Sequence, residues 1–352
     1  MWSAFEGHER VVLGHDEASG LRAIVALHST ALGPGLGGTR MLPYPTEAAA
    51  IEDALRLSRA MTYKNALAGI AHGGGKGVIW ADPSTKTPAL LHAYGRLVAS
   101  QGGAYITACD VGTYVTDMDV IGEVNPWTTG RSERLGGAGD SGILTAFGVW
   151  QGMRGAALHQ WGEASLEGRT IGIVGLGKVG RRLAGHLADE GAFVIAVEPN
   201  LEARTLAISE VPGLRILDSL DELHALELDV YSPNALGGAV TAELARELKA
   251  GMICGGANNQ LATPSVSELL AARGVLYAPD FMVNCGGVVQ VAYEHAGTTS
   301  GKGFEFEAAK AHVARVFETT QAVLARAADA GITPEAAAEA EAEELVQTAR
   351  YA

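Results

Sequence analysis

The stretch TIGIVGLGKVGRRLAGHLADEGAFVIAVE, from Thr170 to Glu198, constrains this chain more than any other. An apolar run ends in Gly175, Gly177 and Gly180 at GxGxxG spacing, a helical pattern follows, and a second apolar run ends in an acid. A lone GxGxxG says little. Set between a strand and a helix, with an acid about 20 residues on, it specifies a βαβ unit that takes a dinucleotide. Gly175 permits the tight turn, Gly177 lets the backbone approach a pyrophosphate at the helix N-terminus, and Gly180 lets the helix pack closely on the sheet. Lys178 and Val179 lie in the same turn and join the candidate cofactor residues. Glu198 can accept hydrogen bonds from the adenosine ribose, and its charge opposes a 2′-phosphate, so NAD is favoured over NADP. Arg204, a little downstream, is the residue that speaks for a phosphate. Glycines that merely shape a turn are the bland alternative, and they do not account for the whole unit.

From Arg169 onward the runs TIGIV, FVIAVE, LRIL, LDVYS, MICG and VLYAP alternate with helical patterns. That rhythm predicts an α/β fold with a doubly wound parallel sheet. At 352 residues the chain is long for one core, which predicts more than one domain. Residues 1–140 are expected to form an α/β substrate, catalytic and oligomerisation domain, and residues 141–330 the Rossmann domain. Residues 331–352 are expected to form an Ala/Glu-rich helix returning to the first domain. Within the first domain LRAIVALHST predicts a strand and GPGLGGTRMLPYP a Gly/Pro loop. Thr46 is placed to cap a helix over about Glu47–Lys64. AYITACD predicts a strand ending in Asp110, and Thr116 with Asp119 a capping box.

MTYKNALAGIAHGGGK, Met61 to Lys76, carries two lysines, and no Asp or Glu occurs between Asp53 and Asp82. Ala50, Ala54, Leu57, Met61 and Lys64 recur at helical spacing, which points Lys64 inward. Desolvation and a neighbouring ammonium both push a lysine toward neutrality. One lysine can then hold a carboxylate while the other moves a proton; a nearby acid would defeat that device by fixing both as ammonium groups. GGGK is not a P-loop, because GxxxxGK[ST] is missing. Its glycines are expected to let substrate or nicotinamide approach the backbone. Asp110, at a strand end, is equally readable as a catalytic acid or as a turn residue before Gly112.

Other classes are excluded by simpler counts. A net charge of -14 argues against nucleic acid. Cys109, Cys254 and Cys285 stand far apart, with no metal-ligand spacing, so no metal is expected. MWSAFEGHER lacks the features of a secretory signal, and no uncharged apolar run reaches membrane length. A cytoplasmic location without a membrane partner is the expectation.

The sequence resembles the glutamate/leucine/phenylalanine/valine dehydrogenase family. The matching motifs are LGPGLGGTRM, EDALRLSRAMTYKNALAGIAHGGGK, ITACDVGTYVTDMDVIGE, WTTGRSERLGGAGDSG, GIVGLGKVG, GGANNQLA and YAPDFMVNCGGVVQVA, from about Leu21 to Val291. TACDVGTYV and WTTGRS are most similar to the valine branch. The resemblance implies NAD-dependent oxidative deamination of an L-amino acid between two domains that close on it. It also implies a homo-oligomer, a dimer or an octamer. By motif position, Lys64 binds the α-carboxylate with Gly37 and Gly38, Lys76 is the general base, and Asp110 shuttles protons at the amino group. Asn258, Asn259 and Asn284 face the cofactor. Leu36, Met61, Ala108, Val288 and Val291 line the substrate site, and their aliphatic character suits valine, leucine or isoleucine. Such a pocket separates neighbours by only about 1–3 kcal/mol per methylene. The chain departs from the family pattern at Cys285, at YSPNALGG, at Glu198 and at His72. These departures keep an aromatic substrate open, and a non-catalytic NAD-binding protein is the reading from another class.

Overall fold

A computed structural model describes Phe5 and residues 7–351. Half of the stretch MWSAFEGHER, on which the absence of a secretory signal rests, therefore lies outside the described residues. Contacts divide the chain into two compact units. One holds the described residues up to Ser141 together with Val288–Ala309 and the residues from Ala342 onward; the other holds Gly142–Gly287 and Lys310–Glu341. The sequence partition placed Val288–Ala309 in the second domain. It joins the first because the buried Glu294 carboxylate accepts the N–H groups of Gly130, Arg131 and Ala138.

The first unit is built on a five-stranded sheet of order β1-β2-β4-β3-β5. The strands are β1 (Arg10–Asp16), β2 (Leu21–Ser29), β3 (Gly35–Leu42), β4 (Gly73–Trp80) and β5 (Tyr105–Cys109). β4 runs antiparallel to β2 and parallel to β3, which is parallel to β5. The expected Gly/Pro loop is thus mostly strand β3, an interior strand of the sheet between β4 and β5. A helix, Glu47–Leu67, covers one face, capped by Thr46 Oγ1, which accepts from Ala49 N at 3.1 Å. Strand residues alternate between faces, so Leu36, Gly38, Arg40, Gly74, Lys76, Ala108 and the end of β5 at Asp110 share the helix side. Tyr94 and Tyr105 pack on the other with Leu27 and Met41. The expected capping box at Thr116 and Asp119 is displaced: the helix is Val115–Gly122, its first turn is held by Tyr114 N donating to Asp117, and Asp119 instead accepts from Ser132 N.

The second unit holds six parallel strands, β6 (Thr170–Val174), β7 (Phe193–Val197), β8 (Arg215–Leu217), β9 (Leu228–Pro233), β10 (Ala250–Ile253) and β11 (Leu276–Tyr277). Their order is β11-β10-β9-β6-β7-β8, the doubly wound arrangement, with its switch point between β6 and β9. Among the described residues no helix is long and apolar enough to cross a membrane.

Glu335, near the start of the helix Pro334–Tyr351, carries a pH dependence. Burial, aided by repulsion from Asp280 and Glu339, pushes its carboxyl up to about 8 from an ordinary 4.5. The folded chain keeps this proton where the unfolded chain has lost it. The group's contribution is therefore complete below pH 4.5 and drains away as pH rises to 8. Glu335→Gln is expected to melt like the parent near pH 5 and a few degrees higher at pH 9, which thermal unfolding at the two pH values checks.

Candidate active site

Lys76 sits in the middle of β4 and is 5% exposed. Its Nζ meets Asp110 Oδ2 at 2.5 Å. Asp110 is delivered by the end of β5, two strands away, because β3 lies between β4 and β5. Arg40, on β3, donates from Nε to the same oxygen at 3.2 Å and from its other arm to Asp53 Oδ2 at 3.0 Å. Tyr44 also donates to Asp53, at 2.6 Å. Burial alone would raise the Asp110 carboxyl, but Lys76 and Arg40 overcome it and hold the group well below the ordinary carboxylate range. The absence of acids from residues 54–81 does not leave Lys76 without a partner: the sheet supplies a carboxylate from 34 residues away. The premise of two unpaired ammonium groups is overturned: Lys76 and Asp110 form a lysine–carboxylate pair.

The glycines also have a different role from the one expected. A Cβ on Gly74 would lie 2.2 Å from Thr62 N and 2.4 Å from Ser58 O, and one on Gly75 would lie 2.6 Å from the Tyr105 ring. These glycines admit the helix on one face and the tyrosines on the other, so the backbone there is covered by protein and not by ligand. On Gly37 a Cβ would strike Gly75 O, with Met61 Cγ 3.2 Å away; on Gly38 it would come within 2.8 Å of Asp110 Cβ. The close packing seats the last turns of the helix, with half-buried Met61 and Lys64, over the edge that carries Leu36 and Gly38. Asn65, which the sequence did not flag, pins this seat by donating to Leu36 O and Gly73 O at 3.1 and 2.6 Å. Leu36 lies opposite Ile106, and Gly38 opposite Ala108. Val288 and Val291 are buried on the helix Gly286–Ser300.

In the other unit the dinucleotide candidates gather at the carboxyl ends of the parallel strands. Gly175 has φ +92°, a conformation glycine adopts without penalty. Gly180 lies so close to Gly175 O that no Cβ would fit, whereas the Cβ direction of Gly177 is open. Gly177 and Lys178 are exposed and Val179 half-buried at the start of the helix Lys178–Asp189, the arrangement that suits a pyrophosphate. Glu198, 9% exposed, accepts from Leu176 N at 2.7 Å and Asn200 N at 2.8 Å. Two of roughly four carboxylate lone-pair sites are thus used by the loop itself, and the rest suit ribose hydroxyls. Arg204 does not face an open phosphate site: it donates to Glu198 O and pairs with Asp218. Asn284 Nδ2 donates to Asn258 Oδ1 at 2.9 Å, and Asn259 has φ +51°. Asn234, from the departing YSPNALGG, ties the ends of β9 and β10 by accepting from Gly256 N at 2.9 Å. The residues therefore fit a bound dinucleotide.

Comparison with known proteins agrees with this geometry. Residues 6–124 match the Glu/Leu/Phe/Val dehydrogenase dimerisation domain, and residues 199–352 match the glutamate/leucine/phenylalanine/valine dehydrogenase domain. Valine dehydrogenase of Streptomyces albus is 54% identical over 346 residues, covering 98% of this chain and 93% of that protein. Leucine dehydrogenase of Geobacillus stearothermophilus is 42% identical, covering 98% and 92%. Among solved structures, L-tryptophan dehydrogenase from Nostoc punctiforme superposes with a TM-score of 0.86 at 34% identity, over 100% of each chain.

Proposed function

This chain belongs to the glutamate/leucine/phenylalanine/valine dehydrogenase family, and we propose that it reversibly deaminates a branched-chain L-amino acid, valine foremost, with NAD as oxidant. The observation that carries the reading is the buried Lys76–Asp110 pair, on the same sheet face as Leu36 and Ala108. The valine and leucine dehydrogenases among the relatives support the substrate class. We also propose that the protein works in the cytoplasm as a homo-oligomer.

In this mechanism Lys64 binds the α-carboxylate, with Gly37 and Gly38 beside it. Asp110 takes a proton from the substrate ammonium, which frees the nitrogen lone pair to assist as the Cα–H bond breaks. A bound nicotinamide supplies the hydride acceptor. Once Asp110 is neutral it no longer holds Lys76 as an ammonium; Lys76 then gives its proton to solvent and, as the free amine, removes a proton from the water that adds to the iminium carbon. Lys76 passes that proton to solvent, Asp110 returns its proton to nitrogen, and Lys76 takes the carbinolamine hydroxyl proton as the C–N bond breaks to give 2-oxo acid and ammonia, which restores the lysine–carboxylate pair. Arg40 keeps Asp110 aimed between these steps. Glu198 supports NAD over NADP, since a 2′-phosphate would face its charge.

The test is a panel of L-valine, L-leucine, L-isoleucine, L-phenylalanine and L-tryptophan with NAD or NADP, followed by reduced-cofactor absorbance. Aliphatic substrates with NAD are expected to lead. Turnover confined to the aromatic substrates would sink the substrate reading, and NADP leading would sink the cofactor reading.

A further inference from the structure

His72 immediately precedes β4, two residues ahead of Gly74, which is paired with Leu36. It is 9% exposed, and its Nδ1 meets no protein hydrogen-bond partner. Its ring packs edge-on against His295, with centroids 5.9 Å apart. His295 stands seven residues past Val288 and four past Val291, so the three share one face of the helix Gly286–Ser300. The same helix is tied to the far side of the sheet face: Glu294 accepts from Gly130 N, and a Cβ on Gly130 would lie 3.8 Å from Ala108 Cβ. Ala108 on β5, Leu36 on β3 and His72 just before β4 thus lie along one diagonal of the sheet, and this helix reaches its two ends, at His72 through His295 and beside Ala108 through Gly130.

We propose that His72 is a specificity-determining residue of the side-chain pocket, one that favours valine-sized substrates over leucine-sized ones by holding a water on Nδ1. This rests on the reading of the site given above. Burial and the neighbouring His295 push the His72 imidazole down to about 4, so it is neutral at working pH. A neutral imidazole still needs a partner at each nitrogen. A short side chain leaves space for one water, whose share of liquid volume is about 30 Å³. One further methylene displaces it and strands the nitrogen. Burying a methylene ordinarily improves binding about fourfold, whereas stranding a buried polar atom costs about five- to a hundredfold. The second effect wins, so the longer substrate is rejected.

The experiment measures kcat/KM for L-valine and L-leucine with NAD on the parent, His72→Leu, His72→Met and His72→Gln. The parent is expected to favour valine. Either apolar variant raises the leucine-to-valine ratio by about tenfold or more, and the glutamine variant, which keeps a polar atom, leaves it within about threefold. A ratio unmoved in a folded apolar variant overturns the inference while parent turnover still supports the function. A parent that turns over neither substrate overturns both. Should the apolar variants not fold, competitive inhibition of the parent decides. Isocaproate is expected to bind no tighter than isovalerate, and the ordinary fourfold gain per methylene would overturn the proposal.

Discussion

Lys76→Ala is expected to lower kcat for L-valine by at least about 10²–10⁴-fold, the range by which a positioned proton-transfer group accelerates a reaction. KM should change far less, because Lys64 and not Lys76 is assigned to the α-carboxylate. The distinction follows from geometry: the Lys76 ammonium is committed to Asp110, 2.5 Å away, at the centre of the sheet. Removing it leaves Asp110 its Arg40 contact, so the carboxylate is not stranded and the fold should survive, as circular dichroism would check. Lys76→Arg should not rescue turnover. A guanidinium keeps the charge and the ion pair, but it cannot give up a proton in this pH range. An arginine variant with near-parental kcat would show that Lys76 supplies charge alone, and the base assignment would then fall.

The second unit was far more legible in the sequence than the first. A parallel strand covered on both faces appears as a short continuous apolar run, and each of the six runs after Arg169 became a strand. β3 and β4 were hidden by their composition. GLGGTRML and GGGKGVIW carry too few side chains to signal a strand. What fixes them as strands is the tight approach of the helix Glu47–Leu67 and of the Tyr94 and Tyr105 rings, which local propensity cannot register. The Lys76–Asp110 pair was hidden for a related reason. Both residues were singled out, but their contact depends on β3 lying between β4 and β5, and the local scarcity of acids pointed away from it. Arg40, Asn65 and Asn234 sit inside quoted stretches without a role of their own, and Glu294 lies beyond them. Their roles lie in hydrogen bonds to backbone or carboxylate across 8–164 residues.

Gly74→Ala is expected to damage the first unit severely for a single added methyl group. The added carbon would meet Thr62 N at 2.2 Å and Ser58 O at 2.4 Å. Both are backbone atoms of the helix Glu47–Leu67, so no rotamer change relieves the clash and the helix itself must move. Overpacking of this kind costs about 1–3 kcal/mol or more. The functional loss should be larger, because Lys64 lies two residues beyond Thr62 on the displaced turn. A misplacement of about 1 Å can cost about a hundredfold in rate. Gly75→Ala is the control. Its carbon meets the Tyr105 ring at 2.6 Å on the opposite face, so it should lower the melting temperature without moving Lys64. kcat/KM per folded molecule is then expected to fall about a hundredfold for Gly74→Ala and less than about tenfold for Gly75→Ala. Equal losses of activity in the two variants would mean that the helix does not position Lys64 through this contact.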